Sequence, residues 1–203
     1  MKATIARFGM YGPLLLLGTL WGLNFSLAKV AAGGGGAPIG IALTATSIGA
    51  MILLATSRLK GLRLPIRRNY LAYYLMTGAN GIALPSSTLY AAAFHLPAGV
   101  LSMLVATSTL LTYALALVLG MERREGRRLV GLGLGLLGVA LLVLPGRSLA
   151  ADVDPIWLGV GLVAPACYAV NTILGARLRP ADGDNIGLAC GMLLAAALIL
   201  ALI

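Results

Sequence analysis

The chain has 203 residues, of which 60% are hydrophobic and 10% charged, and a formal net charge of +9. A soluble domain of this length has no core large enough to hide so much apolar surface, so lipid must be the solvent for much of it. The positive charge does not indicate nucleic acid, because the basic residues are spread over alternate short loops instead of gathering on one face.

Seven apolar stretches are long enough to cross a hydrocarbon layer of about 30 Å, which takes roughly 20 residues of helix. They cover residues 10–31, 38–56, 70–94, 97–120, 129–145, 155–176 and 186–203. None alternates polar and apolar residues as a barrel strand would, so an all-α, polytopic transmembrane helix bundle is expected.

The first span carries Trp21, Asn24 and Lys29. Lys2 and Arg7 before an apolar run, with Ala31 and Ala32 after it, have the outline of a signal peptide, but these three residues do not suit one. An amide in hydrocarbon needs a partner, so Asn24 is expected to face protein or a watery cavity. Trp21 lies deeper than an interfacial anchor and can stack on a substrate.

In the third span Gly78, Gly81 and Pro85 weaken a helix that also holds Asn80, Ser86, Ser87 and Tyr90. Proline removes a backbone hydrogen bond, and interrupted helices near the midplane are where transporters place polar substrate sites. Tyr70, Tyr73 and Tyr74 read as interfacial anchors. His95, the only histidine, falls at the outer end of this span. In the fourth span Ser102, Ala106, Thr109 and Tyr113 follow the spacing of one helix face, which is expected to line a cavity.

The fifth span contains Gly133, Gly135 and Gly138 in the dinucleotide-binding spacing, but no strand precedes them. Gly131 and Gly135 instead suit close helix packing. Cys167 and Cys190 read as buried small residues, and no metal or cofactor motif is present. All six acidic residues, Glu122, Glu125, Asp152, Asp154, Asp182 and Asp184, fall in loops. A membrane carboxylate of the kind proton-coupled antiporters use is thus missing from these spans, and strongly charged substrates are disfavoured.

Thirteen of the fifteen basic residues lie on one side if the N-terminus is cytoplasmic. They are Lys2 and Arg7, then Arg58, Lys60, Arg63, Arg67 and Arg68, then Arg123, Arg124, Arg127 and Arg128, then Arg177 and Arg179, against Lys29 and Arg147 opposite. The positive-inside rule therefore orients the chain with its N-terminus inside.

An internal repeat is visible. Trp21-Gly22-Leu23-Asn24 in the first span is echoed by Tyr168-Ala169-Val170-Asn171 in the sixth, each followed by a basic residue, Lys29 and Arg177. A repeat that restarts at the sixth span has five spans per unit. Five is odd, so the second unit must be inverted, an arrangement suited to alternating access. The units are expected at residues 1–147 and 148–203, and the second then lacks three spans of an expected ten.

Leu20-Trp21-Gly22-Leu23-Asn24-Phe25, the stretch from Phe94 to Val100 leading into Ala106–Thr112, and the run from Glu122 through Arg127-Arg128-Leu129-Val130-Gly131 to Ala140 resemble the EamA-type branch of the drug/metabolite transporter superfamily. That resemblance implies ten helices in two inverted five-helix repeats, and export or exchange of amino acids and other small metabolites. Thr109 stands where the family often has proline, and Thr46 near a common arginine.

The expected function is a bacterial inner-membrane transporter exporting or exchanging small neutral, zwitterionic or lipophilic molecules, such as amino-acid-like compounds or drugs. Its expected partners are that substrate and the lipid bilayer, with no nucleic acid. The substrate-binding candidates are Trp21, Asn24, Asn80, Ser86, Tyr90, Ser102, Thr109, Tyr113, Tyr168 and Asn171. Two alternatives stand beside it: a non-transporting, partner-dependent membrane protein, and an intramembrane serine hydrolase using Ser86, Ser87 or Ser102 with His95. The hydrolase lacks a glycine-flanked serine, and the chain is not expected to be an enzyme.

Overall fold

A computed structural model describes residues 2–62, 64–123, 125–143 and 154–203, with side chains from residue 11 onward except at 136, 139, 142 and 143. Arg63, Arg124, Arg147, Asp152 and the expected boundary between repeats lie outside the described residues, as do the side chains of Lys2 and Arg7.

The chain is a helix bundle with no strand among the described residues. Its helices are α1 (Lys2–Gly33), α2 (Pro38–Leu59), α3 (Arg68–Gly78), α4 (Leu84–Ala93), α5 (Ala98–Val118), α6 (Gly126–Val143), α7 (Pro155–Leu178) and α8 (Asn185–Ala201). Each expected span holds one of them, save that α3 and α4 share the third and are joined by a π-helical turn, Ala79–Ala83. α1 from Tyr11, α2, α5 and α7 are long and apolar enough to cross a membrane.

Local chemistry sets the helix ends. Pro38 and Pro155 sit in first turns, where a missing N–H costs nothing. Asp154 accepts from the Ile156 N–H at 2.9 Å, and Asp184 from Ile186 at 2.9 Å and Gly187 at 3.2 Å. These carboxylates satisfy orphan donors and suit the positive helix end. α2 and α5 close alike: Gly61 and Gly120 take φ of +65° and +67°. The next N–H then reaches back to Ser57 O at 2.9 Å and Ala116 O at 2.8 Å, the paired closure that glycine permits after a helix.

The third span is widened, not broken. The Leu84 N–H bonds the Ala79 carbonyl five residues back, and Pro85 follows at the start of α4. The π turn thus takes up the backbone disruption that glycine and proline introduce there.

α7 packs between α4 and α5, and α8 between α2 and α3. Small residues allow the approach: a Cβ on Gly161 would come within 2.8 Å of Leu104, and one on Gly78 within 2.8 Å of the Met192 carbonyl. Leu96, Leu101, Leu104, Ala92, Ala164 and Leu200 form the buried centre. α1 lies at the edge, burying Phe25 and Ala28 while Leu14–Leu17 stay exposed. α6 leans on α5, with Gly135 against Leu110, whereas a Cβ on Gly131 would meet nothing within 4 Å.

Helix directions follow from cross-contacts. Lys29 reaches the C-terminal carbonyls of α4, and Trp157, near the start of α7, stacks on His95 just beyond α4. Further along, Trp21 of α1 meets Tyr168 of α7. α1 and α7 therefore run antiparallel.

One expectation changes in the structure. Tyr70 and Tyr74 are buried in the bundle, with Tyr74 against Gly191 of α8, so they pack helices together instead of anchoring an interface. Lys29 finds its partners at the C-terminal end of α4. Its ammonium donates to Ala93 O at 2.8 Å and Phe94 O at 3.4 Å, neutralising the negative end of α4.

Candidate functional site

Where α1, α5 and α7 meet, a cavity of about 540 Å³ opens. α1 contributes Trp21, α5 contributes Ser108, Thr109, Thr112, Tyr113 and Ala116, and α7 contributes Tyr168, Asn171 and Thr172. Threonine and serine recur at helical spacing along α5, so one broad stripe of that helix faces the cavity.

Two of these hydroxyls are already engaged. Thr112 Oγ1 donates to Ser108 O at 2.7 Å and Thr172 Oγ1 to Tyr168 O at 2.9 Å, which leaves their lone pairs free to accept. Two polar atoms differ: the Tyr113 hydroxyl and Asn171 Oδ1 are buried and have no hydrogen-bond partner. A buried polar atom left unpaired costs about 1–3 kcal/mol, so a native structure keeps one only with a reason.

Asn171 is held by shape. A Cβ on Gly81 would lie 2.6 Å from Asn171 Nδ2 and 3.0 Å from Oδ1, so the amide rests on bare backbone within the π turn. This close approach is the structural use of Gly81. On the other side the Trp21 and Tyr168 rings pair with centroids 6.4 Å apart at 58°. The Tyr90 side chain lies near both Tyr168 and Asn24. Trp21, Asn24, Tyr90, Tyr168 and Asn171 thus form one polar and aromatic neighbourhood.

Of the ten residues singled out from the sequence, Trp21, Thr109, Tyr113, Tyr168 and Asn171 line the cavity, and Asn24 and Tyr90 adjoin it. Asn80, Ser86 and Ser102 do not line it. Asn80 Nδ2 donates to Met76 O at 3.1 Å and Ser102 Oγ to Gly99 O at 2.8 Å, each within its own helix. Thr46 is buried on α2 and also lies outside the lining.

Sequence reasoning missed Ser108, Thr112 and Thr172, which neighbour residues it chose, and Glu122. Glu122 lies in the loop after α5, yet lines the cavity. It pairs with Arg128 at 3.1 Å, and Arg128 also holds Glu125 at 2.9 Å. A loop carboxylate gives no sequence signal of facing a cavity.

The arrangement binds more readily than it reacts. His95 lies flat against Trp157, centroids 3.5 Å apart and planes at 6°, with Nδ1 3.4 Å from the Ala91 carbonyl. Ser87 Oγ donates to Ala83 O at 2.8 Å. No described serine is poised on the histidine as nucleophilic catalysis would need.

A family model, the EamA-like transporter family, matches residues 10–144. No curated protein and no solved structure matches the chain. The matched segment covers most of the chain, including the α1 and α5 walls of the cavity, and the chain is a multi-pass membrane protein that belongs to the EamA-like transporter family, within the drug/metabolite transporter superfamily.

Proposed function

We propose that the α1–α5–α7 cavity binds a small neutral, zwitterionic or lipophilic metabolite, and that the protein exports or exchanges it by alternating access. The observation that carries this reading is the pair of unpartnered buried atoms, Tyr113 OH and Asn171 Oδ1, beside the Trp21–Tyr168 aromatic pair. A substrate with a hydrogen-bond donor for Asn171, a second polar group for the Tyr113 hydroxyl and an apolar body for the rings would satisfy all of them. The antiparallel run of α1 and α7 supports an inverted pair of units, 1–147 and the segment from 148 onward, tilting about this centre. Alternate basic loops support a bacterial inner-membrane location with the N-terminus in the cytoplasm.

The test is uptake or counterflow in proteoliposomes with a panel of neutral amino acids, dipeptides and lipophilic amines. Saturable flux that Asn171→Leu removes is the expected result. Flux indifferent to every cavity substitution would sink the reading.

A further inference from the structure

A second cavity, of about 510 Å³, lies between the start of α3 and the loop joining α7 to α8. Three arginines line it, Arg67, Arg177 and Arg179, against a single acidic residue, Asp182. Among the described residues the ion pairs all involve Arg128, so Asp182 neutralises none of the three. Arg179 is steadied by Asn185 Oδ1, while Arg67 and Arg177 have no hydrogen-bonded side-chain partner among the described residues. Excess positive charge is thus concentrated in a concave site, where a structural role would have paired it.

The rest of the lining is amphiphilic. Met76 and Leu178 are 48% and 42% exposed beside the arginines, and Tyr73 also lines the cavity. A soluble anion needs no such apolar flank. We propose that this cavity is a binding site for the phosphodiester headgroup of an anionic glycerophospholipid, the arginines holding the phosphate and Met76 and Leu178 meeting the first carbons of the lipid. The pocket lies on the face that bears the basic loops, which charge bias assigns to the cytoplasm. Basic pockets between membrane helices on that side suit anionic headgroups. The site stands apart from the α1–α5–α7 cavity, and its occupancy does not depend on any transported substrate.

Native mass spectrometry of the purified chain, released from mixed phosphatidylglycerol and phosphatidylcholine nanodiscs, tests it. The wild type should retain phosphatidylglycerol preferentially. At about fivefold per arginine, Arg67→Gln with Arg177→Gln should weaken retention roughly 25-fold. Asp182→Asn should strengthen it, while Arg58→Gln, on the same face but outside the pocket, should leave it unchanged. Equal retention by the double variant, or an equal loss in Arg58→Gln, overturns the assignment. Glycerol phosphate that displaces the lipid at equal concentration would make a soluble phosphate the occupant and overturn it too. If the double glutamine variant does not fold, Arg67→Lys with Arg177→Lys keeps the charge but loses the planar fork. A severalfold weakening is then expected, and no change overturns the proposal.

Discussion

Trp21 and Tyr168 pair across the bundle, ring centroids 6.4 Å apart, and they are the aromatic residues that correspond in the two repeated motifs, Trp-Gly-Leu-Asn and Tyr-Ala-Val-Asn. A residue meets its own counterpart only where it lies near the axis relating two units. In the proposed inverted repeat, the axis passes between these rings.

Trp21→Ala and Tyr168→Ala should each weaken apparent substrate affinity, and the double variant should be less impaired than the product of the two. An aromatic pair couples by about 0.5–1.5 kcal/mol, roughly two- to twelvefold. Strict multiplicativity in transport assays would mean the rings act independently.

Asn171→Leu removes a buried acceptor that has no partner. The expected result has opposite signs for the two readouts: a thermal midpoint equal to or above wild type, and transport reduced at least tenfold, because burying an unpaired polar atom costs about 1–3 kcal/mol. A clear drop in midpoint would show that the amide stabilises the bundle.

Gly81→Ala places a methyl where Asn171 now lies. Overpacking of this kind costs about 1–3 kcal/mol, and displacement of the amide should impair transport as well. Gly99→Ala meets nothing within 4 Å and should be neutral, or stabilising by up to about 1 kcal/mol through helix propensity. Detergent-solubilised thermal unfolding of the two variants checks the contrast.

Lys29→Met strips two charged hydrogen bonds from the end of α4. A loss of about 1.5–3 kcal/mol is expected for a bond to a charged group, seen as a lower unfolding midpoint. Lys29→Arg should recover much of it.

The spans were legible because lipid imposes one rule on every one of them: length and apolarity predict helices without knowledge of packing. Trp21, Asn171 and Tyr113 were legible because polar or aromatic groups deep in such spans are costly enough to need a purpose. Asn80 and Ser102 obey the same logic and yet bond their own helices, an outcome set by rotamers and neighbours that no spacing reveals. Tyr70 and Tyr74 resemble anchors by position, but Gly191 of a helix far along the chain opens a slot for Tyr74. Glu122 enters the site only through the path of a loop.

The π turn at Ala79–Ala83 holds one residue more than an α-helix of the same reach requires. Deleting a residue from a membrane helix ordinarily turns everything beyond it by about 100° and shifts it by about 1.5 Å, scrambling its contacts. Here a deletion at Ala79 would let the turn tighten into α-helix, leaving Tyr74 on α8 and Tyr90 beside Asn24. The third span therefore carries its own spare residue: its loss would keep the register on either side, as the same loss in α5 would not, but would return to the helix the disruption of Pro85 that the turn absorbs.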